Sequence, residues 1–220
     1  MEENIIIEVE HVNKRFGEQT VLDDVSFRIE KQKIYGIVGR NGSGKTVLFK
    51  SILGFISPDN GKITVKGKVI GKDTDMAQDV GIIIENPGFL PNYSGYKNLK
   101  YLAMIKGRIS DSEIRDAITL VGLDPDSKKW VGKYSMGMRQ RLAIAQATME
   151  DPGILILDEP MNGLDNQGVQ DMRALLQKLR EEGKTILIAS HNPIDIELLC
   201  DTVYEMDAGV LTVRDQSKSL

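Results

Sequence analysis

The run Gly39-Arg40-Asn41-Gly42-Ser43-Gly44-Lys45-Thr46 fits the pattern G-x-x-x-x-G-K-[ST]. Its glycines let the backbone wrap a polyphosphate and aim N–H groups at it. Lys45 is placed to reach the β- and γ-phosphates, and the Thr46 hydroxyl to hold Mg²⁺. Val47 follows and completes the expected nucleotide-binding stretch. Further polar residues come directly after apolar runs. Ile82-Ile83-Ile84 ends at Glu85, and Ile154-Leu155-Ile156-Leu157 ends at Asp158-Glu159. Ile186-Leu187-Ile188 leads through Ala189-Ser190 to His191. Asp158 reads as the carboxylate partner of the P-loop, binding Mg²⁺ through a coordinated water. Glu159 is placed to orient or deprotonate an attacking water. A neutral His191 imidazole would bond the γ-phosphate or that water. The competing reading of Asp158-Glu159 is a surface turn cap, and the P-loop upstream favours the metal reading.

These groups need a scaffold that brings strand ends together. Ile34 to Val38 reads as a buried parallel strand feeding the P-loop, and Val47 to Leu53 as a helix ending before Gly54. The first third is otherwise β-like: Ile5 to Val12, Val21 to Ile29 and Lys62 to Ile70, with a hairpin turn expected at Asn60-Gly61. Val80 to Ile84 is another strand. From about residue 86 to 150 the pattern turns helical: Tyr96 to Met104, Ser112 to Val121 with Ser112 as cap, and a helix from Ser135 to about Met149. Tyr101, Trp130 and Tyr134 are expected to pack within this helical part. Strands at Ile154 to Leu157 and Thr185 to Ala189 then alternate with helices at Val169 to Leu179 and Pro193 to Leu199. Val203 to Met206 and Val210 to Val213 close as a hairpin. The fold class is α/β: a P-loop core with a mainly parallel sheet, an N-terminal antiparallel β subdomain and an inserted helical subdomain. The division expected is one domain over 1–220, with core in 1–85 and 151–220. In such open sheets ligands bind beyond the carboxyl ends of the strands.

The 220 residues, 41% hydrophobic and 27% charged, suit a globular chain with a substantial core. A net charge of -4 argues against a nucleic-acid partner held on a broad basic face. One cysteine, Cys200, excludes an internal disulfide framework and reads as a packed apolar residue. The start Met1-Glu2-Glu3-Asn4 is no signal peptide, and no apolar stretch approaches bilayer length. A membrane role must therefore come through a partner.

The order of these motifs resembles the ATP-binding subunit of an ABC transporter, over essentially the whole chain. Tyr134-Ser135-Met136-Gly137-Met138-Arg139-Gln140-Arg141-Leu142 resembles that family's signature, usually L-S-G-G-Q followed by a basic residue, Gln and Arg. Gly163-Leu164-Asp165 resembles the D-loop, and His191 the switch histidine. Phe16 sits where the family places an aromatic that stacks on adenine. Two motifs depart: in the signature Met136 and Met138 replace the first glycine and the glutamine, and in the Q-loop Glu85 replaces the glutamine. Tyr-Ser-x-Gly-Met and the segment around Glu85-Asn86-Pro87-Gly88 are both similar to the bacitracin- and lantibiotic-export branch.

The resemblance implies an ATPase that dimerises head to tail, as a homodimer or with a paired ATP-binding subunit. ATP would lie between the P-loop of one subunit and Ser135 and Gly137 of the other. Mg²⁺ would be held by Thr46 and Asp158 with Glu85 nearby, and Glu159 would activate water. Dimer closure would drive a separate transmembrane permease for export, with the subunit cytoplasmic and peripheral on the inner face of the cell membrane. The permease is expected on the segment from about Glu85 to Met104, through Phe89, Leu90, Tyr93 and Tyr96. The alternative is a soluble ABC-type ATPase with no transporter.

Overall fold

A computed structural model describes residues 4–85 and 88–214. Asn86 and Pro87, at the expected domain boundary, lie outside the described residues, as do Met1 to Glu3. Strands β1 (Ile5–Phe16) and β2 (Gln19–Glu30) form a long antiparallel hairpin. Strand β4 (Asn60–Val65) pairs with β1, and β5 (Lys68–Val69) with β4, giving a four-stranded sheet in the order β2-β1-β4-β5. The second sheet holds β3 (Ile34–Val38), β6 (Val80–Ile83), β7 (Ile154–Asp158), β8 (Thr185–Ala189), β9 (Thr202–Asp207) and β10 (Val210–Val213). Its order is β10-β9-β3-β8-β7-β6, parallel throughout except for the β9–β10 hairpin.

The central strands are continuously apolar because both faces are covered. On β7, Leu155 and Leu157 pack toward α4 (Met136–Thr148) and α5 (Asn166–Glu181), with Leu142, Ile144, Met172 and Leu176. Ile154 and Ile156 point the other way, into a core with Phe49 and Ile52 of α1 (Lys45–Leu53) and Ile7 and Val9 of β1. The period-2 alternation of one strand thus joins two cores. Fully burying a side chain such as Phe49 stabilises by about 1.5–3 kcal/mol. Helices α2 (Gly95–Lys106), α3 (Asp111–Leu120) and α4 lie between β6 and β7 in the chain, while α6 (Pro193–Leu199) links β8 to β9.

Several expectations need correction. Asn60-Gly61 is not a turn but the start of β4, with Asn60 opposite Asn13. Gly61 is required there because a Cβ would lie 2.4 Å from the His11 carbonyl oxygen. The turn falls at Lys66-Gly67, both at positive φ (50° and 75°), the geometry of a two-residue hairpin loop, and it splits Lys62 to Ile70 into β4 and β5. Helix α3 is capped by Ser110, not Ser112, because only Ser110 has a glutamate three residues on. Ser110 accepts from the Glu113 N–H and Glu113 accepts from the Ser110 N–H, a reciprocal box. Tyr134 is buried as expected, but Tyr101 and Trp130 stay on the surface, 43% and 52% exposed.

Candidate functional site

Parallel pairing places the carboxyl ends of β3, β8, β7 and β6 along one edge. The register sets Asp158 beside Ala189 and Ile83 beside Leu157, so Glu85, Asp158-Glu159, Ser190-His191 and the P-loop leave the sheet together. Gly44 begins α1 at φ 113°, and a Cβ there would lie 2.6 Å from the Val21 carbonyl oxygen, so only glycine passes. Helix α1 has no side-chain cap, which leaves its first N–H groups free for an anion.

Lys45 is buried, and its ammonium donates to the carbonyls of Gly39 at 2.7 Å and Arg40 at 3.1 Å. The Ser43 Oγ is buried without a hydrogen-bond partner. A cation resting on neutral carbonyls, an orphaned hydroxyl and an uncapped helix start together fit a polyphosphate. Thr46 Oγ1 donates to Asp158 Oδ2 at 2.8 Å. Among the described residues no group of His, Cys, Asp or Glu forms a full metal cage. One hydroxyl and one carboxylate nevertheless suit Mg²⁺, which takes few protein oxygens and completes its shell with phosphates and water.

Lys45, Thr46 and Asp158 line a cleft of about 950 Å³, bounded also by Asn41, Gly42, Gly44, Val47, Glu85 and Glu159. The Glu159 backbone is pinned at φ 52°, its N–H bonded to the Ala189 carbonyl at 2.9 Å. Its Oε2 lies 2.9 Å from His191 Nδ1. His191 itself, with Gly39 and Arg40, borders an adjoining cleft of about 490 Å³. Glu85 carries φ 60° and pairs with Lys50, Nζ to Oε1 at 2.5 Å.

The signature stretch is placed by α4. Ser135 caps the helix, its Oγ accepting from the Met138 N–H at 3.2 Å. Gly137 lies against the Gly163 carbonyl, and the Met136 side chain lies along Gly163. Met136, Arg139 and Gln140 reach the P-loop cleft of their own chain, whereas Ser135 does not line it. Phe16 is also outside that lining. Its ring is half exposed at the end of β1, with the Lys14 ammonium 5.5 Å above it.

Sequence reasoning missed Val21 and Asn162, which also line the P-loop cleft, and Lys50, which pairs with Glu85. It matched Gln140 to the signature without giving it a contact; the Gln140 amide donates to the carbonyls of Glu159 at 3.2 Å and Pro160 at 3.0 Å and so ties α4 to the end of β7. One turn along the helix from Met136 was the available signal for it. Cys200 behaves as a packed residue: burial, with the Asp201 and Asp195 carboxylates, pushes its thiol up to about 12.

A family model described as "ABC transporter" matches residues 22–162. YybJ of Bacillus subtilis (strain 168), an uncharacterized ABC transporter ATP-binding protein, is 45% identical over 211 residues, covering 96% of this chain and 97% of that one. The bacitracin transport ATP-binding protein BcrA of Enterococcus faecalis is 42% identical over 208 residues, covering 94% of this chain and 68% of BcrA. The ATP-binding cassette MJ0796, solved as a dimer in a post-hydrolysis state with ADP and Pi, shares the fold with a TM-score of 0.85 at 20% identity, covering 98% of this chain and 100% of that one.

Proposed function

The chain belongs to the ABC transporter family, and we propose that it is the ATP-hydrolysing subunit that powers export through a separate membrane protein. The observation that carries this is the meeting, at one sheet edge, of Lys45, the Thr46–Asp158 pair and the Glu159–His191 pair. The β- and γ-phosphates of ATP would take the Lys45 ammonium from the Gly39 and Arg40 carbonyls. Ser43 Oγ would gain its missing acceptor, and the P-loop N–H groups from Asn41 to Thr46 would close on the phosphates. Thr46 and Asp158 would hold Mg²⁺, whose charge, when bound, offsets that developing on the phosphoryl oxygens. Glu159 would take the proton of the attacking water, with His191 holding the carboxylate in line. Phe16, projecting from β1, would stack on adenine.

A second subunit would cover the P-loop cleft, a reading supported by the cassette MJ0796 having been solved as a dimer. Ser135 and Gly137 would then serve the partner's ATP, with the Met136 and Gly137 N–H groups, which the Ser135 cap does not take, facing its γ-phosphate. Residues 86–150 act in this reading as the part that turns against the core, all within one ATP-binding unit. No described helix is long and apolar enough to cross a membrane. Membrane attachment, on the inner face, would come from the permease. Its docking site is refined by burial: Phe89 and Tyr96 pack against the chain's own core, so they are withdrawn from the expected contact set. Leu90 and Tyr93 remain exposed, and Phe55, Met76, Leu102 and Ile105 line a neighbouring groove of about 590 Å³. That groove would accept a short amphipathic helix. Bacitracin transport by BcrA makes a peptide antibiotic the substrate class to test first.

The test is co-expression with the permease. The complex should hydrolyse ATP, and Ile105→Asp, at a side chain 80% exposed, should release the permease while the chain still binds ATP. A complex with no ATPase activity, or full retention of the permease by an Ile105→Asp/Leu102→Asp double variant, would overturn the reading.

A further inference from the structure

Glu85 stands where the family resemblance expects an amide, and the extra charge is matched by a cation on the P-loop helix. Lys50 lies four residues after Thr46 on α1, hence one turn along the same face. That face looks at the ends of β6 and β7, where Thr46 meets Asp158 and Lys50 meets Glu85. The Lys50 side chain is 28% exposed and the Glu85 side chain 63%. Glu85 adopts φ 60°, a left-handed conformation that a non-glycine residue holds only when its surroundings impose it. The residue also lines the cleft that contains Thr46 and Asp158. One carboxylate therefore has two available partners: the Lys50 ammonium, and a cation held at Thr46 and Asp158.

We propose that Lys50 is a positioning residue that latches Glu85 to the P-loop helix, so that Glu85 serves the metal only after leaving Lys50. The proposal rests on the Mg²⁺ reading given above. It makes the base of the segment leading to Leu90 and Tyr93 respond to metal-nucleotide through an exchange of ion pairs. An amide at position 85 cannot make this exchange, because it carries no charge for Lys50 to hold.

The experiment is a Mg²⁺ titration of mant-ATP binding, followed by fluorescence, on the full chain. Lys50→Met keeps the apolar stem and removes the charge. It should lower the half-saturating Mg²⁺ concentration roughly two- to fivefold, the scale of a partly exposed ion pair. Lys50→Arg should stay within about twofold of wild type, since a guanidinium still pairs with a carboxylate. In a Glu85→Gln background, Lys50→Met should change nothing. A Lys50→Met titration identical to wild type would overturn the latch. So would a shift of equal size in the Glu85→Gln background, which would mark a general field effect of one lysine. Mant-ATP binding by the wild type that ignores Mg²⁺ would instead overturn the metal reading beneath it.

Discussion

Glu159→Gln is the most discriminating single change, because the structure isolates its effect to one atom. Glutamine keeps the side-chain shape. The φ of 52° is held by the backbone bond to Ala189 and by Gln140 donating to the Glu159 carbonyl, neither of which the change touches. The lost interaction is the pair with His191, whose side chain is 70% exposed against 25% for Glu159. Such a pair is worth at most about 1 kcal/mol, a Tm shift of no more than about 4 °C in a chain of this size. ATP affinity should stay within about threefold, since under the proposed function Lys45 and the P-loop amides would hold the phosphates. Turnover should fall at least about 100-fold, the lower range for losing a general base, or roughly 2.7 kcal/mol of barrier. Phosphate release at saturating MgATP gives the rate, mant-ATP titration the affinity, and circular dichroism the Tm. Size exclusion with MgATP should show the variant trapped as a dimer, because under the proposed function hydrolysis would be what reopens it. Turnover within tenfold of wild type, at unchanged affinity and Tm, would remove Glu159 from the water-activating role.

Lys45→Ala should weaken ATP binding about 10- to 150-fold, the cost of a charge-assisted contact of about 1.5–3 kcal/mol. The fold should survive, since Lys45 otherwise bonds only loop carbonyls; unchanged affinity by calorimetry would exclude it from the site. Phe16→Ala should cost about 1–3 kcal/mol of ATP affinity, and Phe16→Trp little, as one base–aromatic stack predicts. An alanine variant that binds normally would leave the half-exposed ring without an adenine to cover. Cys200, half-buried and with its thiol pushed up to about 12 by desolvation and the neighbouring carboxylates, should hold far less thiolate at pH 8 than a free cysteine, which is about one in four thiolate there. Reaction with a disulfide reagent at pH 8 should be at least about 100-fold slower in the native chain than in urea, and comparable rates would refute its burial.

What the sequence by itself determined is local: which short stretches carry residues able to do chemistry, and which elements flank them. The P-loop from Gly39 to Thr46 sits between a five-residue apolar strand and a helix, and that context depends only on local backbone geometry. Apolar runs ending in Glu85, Asp158-Glu159 and His191 were enough to infer a parallel sheet with one polar edge, because both faces of such a sheet are covered and its ends are not. Tertiary structure decided what depends on neighbours distant in the chain. Asn60-Gly61 has the composition of a turn, yet pairing with β1 draws it into a strand, and the close approach of His11 supplies the reason for glycine. Ser110 and Ser112 are equivalent as residue types, and only the reach of Glu113 back to Ser110 separates them. Tyr134 is buried where Trp130 is exposed, though both precede the same helix. The partners of Gln140 and Lys50 lie 19 and 35 residues away. Hydrophobic periodicity says which face of an element is inward. Only the packed sheet order brings Lys50 to Glu85 and Gln140 to Glu159, because side-chain contacts across elements follow from where whole strands and helices settle.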